Sequence, residues 1–186
     1  MQRRIMGSML AFTVAVTAGC VDDSASPGPL EPVVVPVFVH SAADAPHNLR
    51  THLTGDEEVP PTGSRAQGQA VFQLSPDGSE LSYKLIVANI ENVLMAHIHV
   101  APAGVNGPIV VWLYPEAPPP QLIPGRFQGV LEQGVITDDD VMNPLPADPL
   151  GGESVALLMD AIRAGNTYVN VHTTQFPGGE IRGQID

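Results

Sequence analysis

Apolar and polar residues alternate through most of the C-terminal two-thirds of the chain, and the alternation stops at clusters of glycine, proline and asparagine. Gln69–Leu74 alternates, with Ala70, Phe72 and Leu74 on one face. A period of two is that of a half-buried strand. Pro76-Asp77-Gly78-Ser79 follows as a turn, in which proline presets φ and glycine accepts a positive one. Leu81, Tyr83, Leu85 and Val87 then alternate with Ser82 and Lys84, so the two segments read as a hairpin. Further strands are predicted at Leu94–Val100, Ile109–Tyr114, Phe127–Ile136, Tyr168–Thr173 and Glu180–Ile185. One segment has another period. Val155, Leu158, Met159 and Ile162 lie at i, i+3, i+4 and i+7, with Glu153 in the first turn and Gly165-Asn166 as a stop. That pattern predicts one short helix over about 153–164. The chain is therefore read as all-β, an immunoglobulin-like or Greek-key β-sandwich or barrel with a single short helix.

The N-terminal fifth has neither period. Met1–Arg4 is short and basic, and Ile5–Ala18 is apolar but shorter than the 20 or so residues a membrane-spanning helix requires. These are the proportions of a signal peptide, over residues 1–19. Thr17-Ala18-Gly19 then leads into Cys20, the one cysteine of the chain. The segment resembles the lipobox of bacterial lipoproteins, with Thr17 where leucine is commoner. That resemblance implies that Cys20 receives a diacylglycerol, becomes the new N-terminus and carries acyl chains such as palmitate. Each buried methylene of such chains contributes about 0.8 kcal/mol to anchoring. Residues 20–50 are rich in Asp, Ser, Pro and Gly and read as a lipidated, flexible tether. Within it Val33–Val39 could add an edge strand, although Pro36 argues against a central one. The domain proper is placed at 51–186. The expected location is outside the cytoplasm, lipid-anchored to the cell envelope. In a Gram-negative cell, Val21 in place of Asp resembles outer-membrane sorting.

Composition narrows the partners. The chain carries 8 basic and 20 acidic side chains, and without Arg3 and Arg4 the balance becomes 6 against 20, or −14. Such a surface repels phosphate backbones, so nucleic acid is not expected as a partner. Beyond the membrane, the expected partner is an unidentified protein or small ligand. No nucleophile elbow, phosphate-cradling loop or dinucleotide fingerprint is present, and the chain is not expected to be an enzyme.

Four groups of residues occur in order from residue 51. They are Thr51–Pro61 (THLTGDEEVPP), Ala96-His97-Ile98-His99, Asn106-Gly107-Pro108 ahead of an apolar strand, and Ala164–Thr173 (AGNTYVNVHT), closed by Phe176–Ile185 (FPGGEIRGQI). Together they resemble the CHRD domain, repeated in the developmental antagonist chordin and found singly in exported bacterial proteins. The resemblance covers about residues 51–186 and implies an immunoglobulin-like sandwich or barrel, with no settled activity for the bacterial members. Glu58, Asn170 and Arg182 fall inside these groups and are taken as structural or motif positions. One departure is plain: Ala101-Pro102 stands where the family usually has a glycine two residues after the second histidine, which implies a loop of different shape.

Strand parity raises a chemical possibility. His97 and His99 share one face of their strand, and Tyr168, Asn170 and His172 share one face of theirs. If the aliphatic sides face the core, all three histidines lie on the polar face. Should the two strands be neighbours, His97, His99 and His172 could converge as ligands for zinc or copper, with Glu180 as a fourth ligand or as an orienting partner. The other reading is that the histidines and Asn170 hydrogen-bond loop carbonyls and pin the ends of the sheet, while Glu180 and Arg182 pair with each other. The first reading describes a metalloprotein, redox-active or hydrolytic; the second a binding or structural module, which the sequence favours. His40, His47 and His52 are assigned no role. Asp138-Asp139-Asp140 lacks the spacing of a calcium loop and is read as a solvated turn or helix cap.

Overall fold

The computed structural model describes residues 48–142 and 152–186. The leader, Cys20, most of the tether with Val33–Val39, His40 and His47 lie outside the described residues. Among the described residues, seven strands and one α-helix follow in order: β1 (Asn48–Thr54), β2 (Gln67–Leu74), β3 (Leu81–Val100), β4 (Ile109–Tyr114), β5 (Ile123–Ile136), α1 (Val155–Arg163), β6 (Thr167–Thr173) and β7 (Ile181–Gln184). Every pairing is antiparallel. The strands close in the order β1-β2-β3-β6-β7 and back to β1, with β4 and β5 added along β3. The predicted all-β class with one short helix is thus a closed barrel carrying two extra strands.

Closure follows from alternation. β1 turns Leu49, Thr51 and Leu53 inward, β2 turns Ala70, Phe72 and Leu74, and the first half of β3 turns Leu81, Tyr83, Leu85 and Val87. β1 begins at Asn48, three residues ahead of the sequence-based boundary at Thr51, because Leu49 already belongs to this inward row. Barrel closure gives the inward row full burial without leaving a free edge on β1 or β7.

β3 is the organising element and differs from expectation. Two separate strands were expected over Leu81–Val87 and Leu94–Val100, but one strand of 20 residues runs through both. Its first half pairs with β2 and β5, its second half with β6 and β4. Between the halves the register shifts, and Asn89 (φ 56°) and Asn92 (φ 55°) adopt the left-handed region. Asparagine tolerates that region better than most residues, and bulges of this kind bend a strand without ending it. Both side chains are tied to β5, Asn92 Oδ1 accepting from Gly125 N at 2.8 Å and Asn89 Oδ1 from Arg126 at 2.8 Å.

α1 buries the four residues its period marked, Val155, Leu158, Met159 and Ile162, in the same apolar core as the strands. Its N-cap is Ser154, whose side chain accepts from Leu157 N, so Glu153 precedes the helix instead of occupying its first turn. Gly165 at φ 71° closes it, as expected. Asp138-Asp139-Asp140 is a short 3-10 turn with a capping role: Thr137 and Asp140 cap each other, and Asp138 Oδ1 accepts from Val155 N at 2.8 Å.

Candidate metal centre

β3 and β6 are neighbours, with His97 opposite Asn170 and His99 opposite Tyr168. His97, His99 and His172 therefore meet on one face, and one ring nitrogen from each lies within 4.8 Å of the others. Ile98, Val169, Val171 and Ile181 fill the opposite face and the core. The histidine face is polar, as parity required, but it is covered: His97 is 0%, His99 8% and His172 5% exposed. Three loops supply the cover, residues 55–62, 101–108 and 174–180, through the hydrogen bonds described below.

Two of the imidazoles are fixed by backbone carbonyls. His99 Nδ1 lies 2.9 Å from Gly107 O, and His172 Nδ1 lies 3.0 Å from Pro177 O. A carbonyl only accepts, so both Nδ1 atoms carry the hydrogen and both Nε2 atoms present lone pairs. His97 Nδ1 lies 3.1 Å from His172 Nε2 and donates to it. The Nε2 atoms of His97 and His99 are buried with no hydrogen-bond partner. An aromatic wall completes the setting. Trp112 of β4, the register partner of His97, has its ring 4.2 Å from that imidazole, and Tyr168 stacks on His99 at 4.8 Å. Arg182 lies over the Tyr168 ring at 3.4 Å.

Burial holds His97 down at about 3, with His172 and His99 lowering it further, and holds His99 at about 4 against the pull of its bond to Gly107. His172 is likewise lowered, chiefly by burial. All three rings are neutral at physiological pH, which is the form that ligates metals. Around an ion with Zn–N bonds of about 2.0–2.1 Å, three nitrogens stand about 3.3–3.6 Å apart, so nitrogens up to 4.8 Å apart must draw together by about 1 Å to hold one. The ligands would be Nε2 of His99 and His172 and one ring nitrogen of His97. The two carbonyls that fix Nδ1 are the kind of partner that orients a ligating imidazole.

The remaining predicted residues fall elsewhere. Glu180, expected as a fourth ligand or an orienting partner, is directed away: its carboxylate accepts from Ser64 Oγ and from Thr173 Oγ1, both at 2.7 Å. Thr173 faces opposite to His172, and Glu180 goes with it. Nor does Glu180 pair with Arg182, which contacts Tyr168 and donates to Asn106 Oδ1 and Pro102 O. Asn170 donates to Glu58 Oε1 at 2.9 Å. Burial pushes Glu58 up to about 7, opposed by Arg182 and by its hydrogen bonds to Val59 and Asn170. The loop at Ala101-Pro102 is held by Gln184, which donates to Ala101 O, and by Arg182, which donates to Pro102 O.

Several contributors escaped the sequence reading. Trp112 could have been found from parity once β4 was set beside β3. The Gly107 and Pro177 carbonyls left no side-chain signal, although Gly107 itself is required, since a Cβ there would collide with the Val100 carbonyl.

A comparison with known families matches the CHRD domain over residues 49–185. No curated protein and no solved structure matches the chain.

Proposed function

The chain belongs to the CHRD domain family, and from that premise we propose that it is an exported, lipid-anchored protein whose barrel binds one zinc or copper ion through His97, His99 and His172. The observation that carries the metal reading is the convergence of three neutral imidazoles within 4.8 Å, two of them with a buried Nε2 that nothing else engages. The anchoring half of the proposal is supported by the apolar leader ending in Thr17-Ala18-Gly19-Cys20. In a Gram-negative cell the anchor is expected in the outer membrane. With ligands this deeply covered, the site suits holding an ion better than turning over a substrate. The proposed role is binding.

The competing reading, histidines that merely pin loops, has specific support in the His97–His172, His99–Gly107 and His172–Pro177 contacts. It leaves the two buried Nε2 atoms unexplained. A buried polar atom without a partner costs about 1–3 kcal/mol, and an ion held on His99 Nε2 would remove that cost there.

Metal analysis of the purified full chain decides between them. After incubation with zinc or copper and removal of excess ion, one equivalent is expected to remain, and it should be lost in His97→Ala and in His172→Asn but not in His52→Ala, a change at an exposed position. At an ion concentration about 100 times Kd, binding should add about 2.7 kcal/mol of stability. A wild-type chain that retains no ion and melts unchanged would remove the metal reading.

A further inference from the structure

Resting on the reading that these histidines hold an ion, we propose that the site is selective for monovalent copper over zinc. The donor set is the first ground. Zinc in a closed protein site takes four ligands, commonly with at least one thiolate or carboxylate. The cluster offers three neutral nitrogens. Of the two acidic groups near it, Glu180 is fixed on Ser64 and Thr173, and Glu58 is fixed on Asn170. Monovalent copper, a closed-shell ion, is satisfied by two or three donors.

Charge is the second ground. Three neutral ligands leave the full ionic charge inside a region where His97 is 0% exposed. The cost of moving an ion from water into a poorly polarisable medium grows with the square of its charge, so a divalent ion is penalised roughly four times as much as a monovalent one. The surroundings do not offset a double charge. Arg182 adds a positive group against Tyr168, whose other neighbour in the stack is His99. The third ground is the wall itself: the Trp112 and Tyr168 rings are polarisable and apolar, and aromatic rings of this kind tolerate a single soft positive charge without requiring an anion.

The test is a pair of titrations on the full chain. Monovalent copper is delivered without oxygen in competition with a chromophoric copper(I) chelator, and zinc in competition with a zinc chelator. Monovalent silver serves as a redox-inert substitute for copper in a third arm. Trp112 is the one tryptophan of the chain, so its fluorescence reports events beside His97 directly. One equivalent of copper(I) or silver(I) is expected to bind and to change that fluorescence, with zinc weaker by about 100-fold or more. His99→Asn should abolish copper(I) binding while its circular-dichroism spectrum stays that of the parent. Zinc binding as tightly as copper(I), with the same dependence on His99, would overturn the selectivity and leave the metal site standing. Failure of all three ions to bind would overturn both.

Discussion

Burial keeps the three imidazoles neutral, and that makes the protein sensitive to acid. A histidine held below its ordinary value contributes stability that is complete above about 6.5 and is lost as pH falls, because the unfolded chain takes up the proton first. His97, held at about 3, and His99, at about 4, act in this direction together with His172. Glu58 acts oppositely: raised to about 7, it favours the fold at low pH and loses that contribution as pH rises from about 4.5 to 7. Between about 4.5 and 6.5 His97 and His99 outweigh Glu58, and His172 acts in the same direction as they do, so the metal-free protein should lose stability on acidification, by about 1.4 kcal/mol per pH unit or more at the steepest. Denaturant titrations across pH 4–8 check this. Glu58→Gln keeps an oxygen for Asn170, and should raise stability by about 1–3 kcal/mol at pH 8 while steepening the acid limb. A variant no more stable than the parent at pH 8 would show that Glu58 is not held up by burial. At this scale parity in the sequence placed His97 with His99 and Asn170 with His172. It could not place Glu180, whose partner Ser64 is 116 residues away and becomes a neighbour only when the barrel closes.

The kink in β3 carries the histidines to β6. Ala88-Asn89-Ile90-Glu91-Asn92 falls between the two strands expected from the sequence, and asparagine is depleted in strands. The chain instead passes through two left-handed residues and resumes pairing in a shifted register. Asn92→Val should therefore be costly, placing a β-branched side chain at φ 55° and removing the bond to Gly125 N. A loss of about 2–3 kcal/mol is expected in thermal or denaturant unfolding. An unchanged melting temperature would mean that the bend does not depend on asparagine. The elements with a clean period, β2 and α1, were legible at nearly full length, because one side of each faces the core and sets the pattern, while β4 was legible as a short apolar run. β6 was legible as a strand, but its complete burial was not: Tyr168, Asn170 and His172 look solvent-facing until the loops that cover them are in place.

At the scale of the whole molecule, a closed barrel accounts for the described residues, and the N-terminal segment is proposed to govern where the protein resides. The class of fold was legible from alternation and turns, whereas barrel closure was not, since it depends on the contact between β1 and β7 at opposite ends of the domain. The leader and Cys20 make a separate prediction. Cys20→Ala should release the protein from the membrane fraction of cells that export it, and metabolic labelling with a palmitate analogue should fall to background. Retention of label in that variant would place the acyl chains elsewhere. The proposed ion site gives the most direct test of the account as a whole, through X-ray absorption fine structure on the full chain loaded with one equivalent of copper(I). Three imidazole nitrogens at about 2 Å are expected, and in His97→Ala this protein-bound signal should disappear. A spectrum dominated by carboxylate oxygens, or one unaltered by that substitution, would contradict it.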